Sequence, residues 1–280
     1  MKLILTVGIS NSGKTTWANK FVENNPMTAN INRDDLRITL FCKGNEDLYH
    51  KYRFSKGNEE LVTELALSIA RNAVRNGKDI IISDTNLNGK TREFWGAFAK
   101  EHKLELELKV FDEPLHICMG RNRKRRLTMP DRVLIQQYNS FRKFMKLPTY
   151  AGTEGKPAAI IVDVDGTVAD MTGVRKPFEW GKVINDKPKF NVIAAVNALK
   201  GMGYKVIIMS GRDGVCMEDT KQWLKSSGVP YDDIFMRESG NNQPDSVVKE
   251  KMFWDNVADN YDVRFSIDDR DQMVHHWRAM

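Results

Sequence analysis

An apolar run from Leu3 to Val7 breaks into Gly8-Ile9-Ser10-Asn11-Ser12-Gly13-Lys14-Thr15. A glycine, four free positions and then Gly-Lys-Thr form a sharp loop that needs a buried strand before it and a helix after it, and the flanking residues are patterned for both. A strand feeding a helix through such a loop commits the chain to alternating α/β layers. The glycines let successive N–H groups converge on one hollow, and the helix beginning near Lys14 adds its N-terminal partial charge. The hollow suits the polyphosphate of ATP. In that reading Lys14 reaches the β- and γ-phosphates, Thr15 offers its hydroxyl to Mg²⁺, and Gly8, Ser10, Asn11, Ser12, Gly13 and Thr16 complete the phosphate loop.

The 280 residues are enough for two ordinary domains, each with its own core. With 41% hydrophobic and 29% charged residues the composition is that of a folded globular chain, which excludes disordered and fibrous classes. A net charge of +6 permits a polyanionic substrate without demanding one. Cys42, Cys118 and Cys216 are scattered, odd in number and without metal-ligand spacing, as expected of reduced thiols in a cytoplasmic compartment. The short apolar start gives way to the phosphate loop, so no targeting segment is expected, and no window is long enough to span a membrane.

Along the first half, Lys14 to Phe21 reads as the helix behind the loop. Ala29 to Arg37 reads as a short strand turning into a helix capped by an acidic residue. Asp34 and Asp35, with Arg33 and Arg37 beside them, are either a solvated helix start or the place where one carboxylate accepts the proton of an acceptor hydroxyl. Asp47 to Arg75 reads as scaffold helix with Leu61, Leu65, Ile69 and Ala73 on its apolar face. Asp79 to Ile82 reads as a buried parallel strand that delivers Asp84, Thr85 and Asn86 to a site at its carboxyl end; Asp84 is alternatively a helix cap. A helix over Arg92 to Lys100 and a strand over Leu104 to Phe111 follow. The run Arg121-Asn122-Arg123-Lys124-Arg125-Arg126 is either a solvated face or a lid whose guanidinium groups offset charge on a transferred phosphoryl group. Pro130-Asp131 opens the last helix of this half.

Glycine and proline between Leu147 and Pro157 mark a boundary, giving expected domains at 1–147 and 158–280 with 148–157 as linker. The second half restarts the α/β pattern with a strand over Ala158 to Val162, followed by Asp163-Val164-Asp165-Gly166-Thr167. Asp163 is placed to attack phosphorus, and Asp165 to protonate the leaving alkoxide and then activate water. A calcium loop is the bland alternative, but the further oxygen ligands and terminal glutamate of that motif are missing. A strand over Tyr204 to Met209 ends at Ser210-Gly211-Arg212, suited with Thr167 to phosphate oxygens. Lys249 is either a site cation or a surface lysine. Val263 to Ile267 delivers Asp268 and Asp269, which with Asp163 and the carbonyl of Asp165 make a hard-oxygen Mg²⁺ site.

The strings GISNSGKTTW, NINRDDLR, IIISDTNL, RNRKRR, IIVDVDGTVADMTG, MSGRDG, VVKE and SIDDRDQMV occur in that order. In this the chain resembles the T-even bacteriophage type of polynucleotide 5′-kinase/3′-phosphatase over nearly its whole length. The resemblance implies an N-terminal P-loop kinase domain and a C-terminal haloacid-dehalogenase-like phosphatase domain, each a parallel sheet flanked by helices. It implies ATP and Mg²⁺ as cofactors, RNA and DNA ends as substrates, tRNA repair together with an RNA ligase, a tetramer, and residence in the host cytoplasm. It assigns Asp34 as general base, Arg37 to the acceptor's 3′-phosphate, Asp84 to the substrate side and Arg125 to the lid, with Arg123 or Arg126 as substitutes. It makes Asp163 the nucleophile, Asp165 the general acid–base, Arg212 and Lys249 phosphate-site cations, and Asp268 and Asp269 metal acids. A small-metabolite kinase joined to a metabolite phosphatase is the second reading, and a nucleic-acid-binding protein without chemistry the third.

Overall fold

The computed structural model describes all residues from Met1 to Met280, which divide into two compact units at Leu147/Pro148. In the first unit four parallel strands lie in the order β2-β3-β1-β4, with β1 at Lys2–Val7, β2 at Thr28–Ile31, β3 at Asp79–Ile82 and β4 at Glu105–Val110. The helices are α1 Lys14–Asn24, α2 Arg33–Phe41, α3 Lys56–Arg75, α4 Gly89–Glu101, α5 Leu115–Arg123 and α6 Asp131–Phe144. The unalternated apolar runs have a simple cause: both faces of the sheet are covered. Leu3, Leu5, Ile80 and Ile82 face one layer with Ala66, Ala70, Trp95 and Phe98, while Ile4 and Ile81 face α1 through Ala18.

Two expectations change here. The stretch from Asp47 to Arg75 is not one helix: a 3₁₀ turn at Glu46–Lys51 and an extended Tyr52 precede α3, which Ser55 caps by accepting from Asn58 N. The buried face of α3 is Val62, Ala66, Ala70 and Ala73, one residue round from the expected stripe, and Leu61 is exposed. Alanine carries no bulk beyond Cβ, so that face seats closest to the sheet and the larger leucines fall to its flanks. The cap of α2 is Asn32 and not an acid, its side-chain oxygen accepting from Asp34 N and Asp35 N at 2.9 and 3.3 Å.

The second unit repeats the plan, its sheet ordered β10-β5-β8-β9 with all pairs parallel. The strands are β5 Ala158–Val162, β8 Lys205–Asp213, β9 Asp233–Arg237 and β10 Asp262–Ile267, and a small antiparallel pair joins β6 Ala169–Asp170 to β7 Lys187–Pro188. Helices α7 Phe190–Gly201, α8 Met217–Ser226, α9 Asp245–Asn256 and α10 Asp271–Ala279 cover it. One core layer holds Ile160, Val162, Ile208 and Trp223, the other Ile161, Ile207, Met209 and Phe253. Residues 148–157 are anchored on this unit: Tyr150 OH donates to Tyr261 O (2.8 Å), and Thr153 Oγ1 to Ala258 O (2.6 Å). Strand β8 also runs past its expected end, so Ser210-Gly211-Arg212 lie within it across a register shift rather than beyond its terminus.

Candidate active sites

In the first unit the carboxyl ends of β1, β2 and β3 bring three groups of residues together. Gly13, at φ +98°, turns the chain into α1 with no side-chain cap on the helix. That leaves the first-turn N–H groups to other partners. A Cβ on Gly8 would lie 2.8 Å from Phe111 O and 2.9 Å from Ser12 Oγ, so the loop closes there only on glycine. Lys14 is buried, its ammonium donating to Ile9 O (2.5 Å) and Ser12 Oγ (3.3 Å), and burial lowers it to about 8. Thr15 and Thr16 are exposed. A phosphate anion in this hollow would offset the desolvation that now penalises the ammonium, so the donor set fits a nucleoside polyphosphate.

Because Asn32 caps α2, the Asp34 carboxylate is left to side chains. Its Oδ1 accepts from Arg37 Nη1 at 2.7 Å and from Tyr49 OH at 2.5 Å, and it is 61% exposed. Arg37 Nη2 and Arg33 Nη2 both pair with Glu59 of α3, at 2.7 and 2.9 Å. Those bonds, Arg37 first, hold the Glu59 carboxyl at about 2. Asp84 accepts from Arg33 N (2.8 Å), and burial raises it to about 6, so it serves the N-terminus of α2 from the end of β3. Thr85 O accepts from Gly8 N at 3.2 Å. Asn86 is buried, its amide donating to Thr6 O and Ile82 O at 2.8 and 3.0 Å. Its amide nitrogen thereby clamps two strand ends together, while its Oδ1 is buried without a partner.

The basic run begins in the last turn of α5 and continues past its end at Arg123. Arg125 Nη1 donates to Asn11 Oδ1 (3.0 Å) and Arg121 Nη1 to Asn11 O (3.1 Å). Arg123 pairs with Asp131 at 4.0 Å and Arg126 with Asp47 at 2.6 Å. Gln137, whose Oε1 accepts from Ser10 N at 2.7 Å, is a loop contact with no counterpart among the residues singled out from the sequence. Nothing in the local sequence of Gln137 signals that contact.

In the second unit Asp163 follows β5, Asp268 and Asp269 follow β10, and a carboxylate oxygen from each lies within 4.8 Å of the others. These are hard oxygen donors and fit Mg²⁺. The side chain of Asp165 is not in that cluster, leaving its carbonyl as the ligand the sequence reading named. Lys249 is no surface lysine: 1% exposed on α9, it donates to Asp163 Oδ1 (2.8 Å) and Asp268 Oδ2 (3.0 Å), with Asp245 at 3.5 Å. Burial pushes the Asp163 carboxyl up, and the Lys249 ammonium opposes that. Thr167 Oγ1 donates to Asp163 Oδ2 at 3.4 Å. Two glycines lie against the site's carboxylates: a Cβ would stand 2.0 Å from Asp269 Oδ2 at Gly166, where φ is +82°, and 2.0 Å from Asp245 Oδ1 at Gly211.

Arg212 departs from its expected place as a phosphate-site cation. Its buried guanidinium donates through Nε and Nη2 to Asp165 Oδ1 (3.0 and 2.6 Å), through Nη2 to Asp186 (2.6 Å) and through Nη1 to Thr220 (3.2 Å). Arg175, missed in the sequence, donates to the same Asp165 Oδ1 at 2.8 Å and holds Asp186 through Nε and Nη2, both at 2.8 Å. Two arginines therefore converge on Asp165 and share Asp186 behind it. Charge-assisted bonds of this kind fix an acid's orientation. Ser210, also buried, accepts from Arg212 N at 3.3 Å.

Two family models match the chain, one over each unit. A model of the AAA domain matches residues 3–148, and a model of the phosphatase domain of polynucleotide kinase PNKP matches residues 157–280. A putative bifunctional polynucleotide kinase/RNA ligase of Autographa californica nuclear polyhedrosis virus is 30% identical over 290 residues, which take in 100% of this chain and 41% of that one. The chain thus spans less than half the length of that relative. Among solved structures, a chain of the Pnkp1/Rnl/Hen1 RNA repair complex is 27% identical, with 99% of this chain and 92% of that one covered at a TM-score of 0.45. A class C acid phosphatase from Bacillus anthracis covers 48% of this chain and 57% of its own, at 21% identity and a TM-score of 0.31. No helix is long and apolar enough to cross a membrane.

Proposed function

The chain belongs to the AAA-domain family over residues 3–148, more than half its length, and we propose that it heals nucleic-acid ends at two sites. One site transfers the ATP γ-phosphate to a 5′-hydroxyl, and the other hydrolyses a 3′-phosphate. The observation that carries this reading is the pairing of two phosphoryl-handling sites in one chain, the second lying in residues matched to the PNKP phosphatase domain.

At the kinase site Lys14 and the Gly8–Thr16 loop would hold the triphosphate, Thr15 and Mg²⁺ would lower its charge, and Asp34 would orient the acceptor hydroxyl and take its proton. Arg37, bonded to Asp34 and Glu59, is placed to meet the acceptor's 3′-phosphate. Arg125 and Arg121, at the loop through Asn11, would offset charge on the transferred group. At the phosphatase site Asp163 would attack phosphorus while Lys249 neutralises it, and Asp268 and Asp269 with Asp163 would hold the Mg²⁺ that screens the phosphate. Asp165, oriented by Arg175 and Arg212, would protonate the leaving 3′-oxygen and then deprotonate the water that cleaves the aspartyl-phosphate. Arg212 acts here as a positioning residue.

The viral relative joins kinase to RNA ligase by name, which supports RNA repair with a ligase acting next, whether in the same polypeptide or as a partner. That relative is baculoviral, so the T-even phage affiliation, the tetramer and the host-cytoplasm assignment rest on sequence resemblance alone. Purified protein given Mg²⁺, γ-labelled ATP and a short RNA with a 5′-hydroxyl and a 3′-phosphate should gain label at one end and lose phosphate at the other. Hydrolysis of ATP with both ends unchanged would favour a metabolite substrate instead.

A further inference from the structure

Residues 171–186 leave the β6–β7 pair and return to it, so the base of this excursion is fixed beside the Asp163–Thr167 turn. Gly166 N donates to Ala169 O, and Lys189 N to Val168 O, both at 2.8 Å. Inside the excursion Arg175 does more than hold Asp165. Its Nη1 also donates to Pro177 O (3.1 Å), which fixes the backbone immediately before Phe178. The guanidinium of Arg175 stands 5.8 Å from the centre of the Trp180 ring, and Trp180 packs on Val183 in a cluster with Cys216 and Met236. Phe178 meets Trp180 edge-on, at 5.9 Å and 86°. At 82% exposed, it is the most exposed of the chain's large apolar side chains.

A phenyl ring held outward on a braced tryptophan, one arginine removed from Asp165, has no packing role that explains it. We infer that Phe178, backed by Trp180, is the stacking platform for the terminal nucleobase of the 3′-phosphorylated end. Base stacking on an aromatic face tolerates any sequence, as an enzyme that reads ends requires. The exposed Lys176 beside it gives the platform a cation suited to the neighbouring backbone phosphate. This inference rests on the proposed end-healing function, and it concerns binding only.

The test compares KM for 3′-phosphate removal from two oligonucleotides that differ only in whether the last nucleotide carries a base or is abasic. In the wild-type protein the abasic end should bind about tenfold more weakly, the lower part of what base–aromatic stacking supplies. Phe178→Ala should bring that ratio close to one, and Phe178→Tyr should restore it. A wild-type ratio near one, or an unchanged ratio in Phe178→Ala, overturns the platform while leaving end healing in place. Hydrolysis of p-nitrophenyl phosphate with neither oligonucleotide accepted overturns both.

Discussion

Replacing Arg175 by alanine removes one of the two arginines that hold Asp165, together with its bonds to Asp186. The Arg175 and Asp186 side chains are both 0% exposed, and Asp165 is 16% exposed. Removing one partner of a buried ion pair leaves charge without compensation and costs about 3–5 kcal/mol. Arg212 stays on both acids, which favours the lower end, about 3 kcal/mol. At roughly 4 °C per kcal/mol for a domain of this size, the second unit should melt about 10–15 °C lower. The first unit has its own core and should keep its transition. A general acid–base contributes about 10²–10⁴ in rate, and a loosened Asp165 should lose part of it, a fall of roughly 10–100-fold in kcat for 3′-phosphate removal. Arg175→Lys keeps the charge but cannot hold Asp186 through two nitrogens at once, so it should fall between. Calorimetry with a phosphate-release assay reads both quantities. A second unit that melts within 2 °C of wild type, or a variant with full kcat, would refute the claim that this buried pair sets the acid.

Two further changes probe particular contacts. Gly166→Ala puts a methyl group into the Asp269 carboxylate at a left-handed backbone position, so 3′-phosphatase activity should drop at least tenfold while 5′-labelling is unchanged; comparable loss at both ends would count against the contact. Glu59 has its pKa depressed from 4.5 to about 2, so the stability it gives the first unit is present above pH 4.5 and lost as pH falls toward 2. Over that window the melting temperature of Glu59→Gln should change less than that of wild type, and parallel curves would remove Glu59 from the account.

Signals that are local in sequence were legible. The phosphate loop, the buried strands and the Asp163-Val164-Asp165-Gly166-Thr167 turn each carry their geometry in adjacent residues, because glycine placement and strand patterning act over a few positions. What escaped depends on partners far along the chain. Asn32 caps α2, but the acids next to it favour a helix N-terminus equally well by sequence. On α3 the larger Leu61, Leu65 and Ile69 mark one stripe, but the close approach that alanine permits seats Ala66 and Ala70 on the sheet. Arg212 reads as a phosphate ligand at a strand end, while its guanidinium bonds Asp165, 47 positions away, and Asp186, 26 away. Arg175 lies in a glycine- and proline-bearing loop whose sequence gives no sign that it folds back onto Asp165. Lys249 on a helix face is ambiguous until the sheet places Asp163 and Asp268 around it.

The central claim is that one chain holds two independent sites, so the most direct test inactivates each alone. Asp34→Asn and Asp163→Asn are each given ATP, Mg²⁺ and RNA carrying a 5′-hydroxyl and a 3′-phosphate, separately and then mixed. The account predicts that Asp34→Asn removes the 3′-phosphate without labelling the 5′ end, that Asp163→Asn does the reverse, and that the mixture heals both ends. Loss of both reactions in either folded variant, or retention of its own reaction by either one, would contradict it.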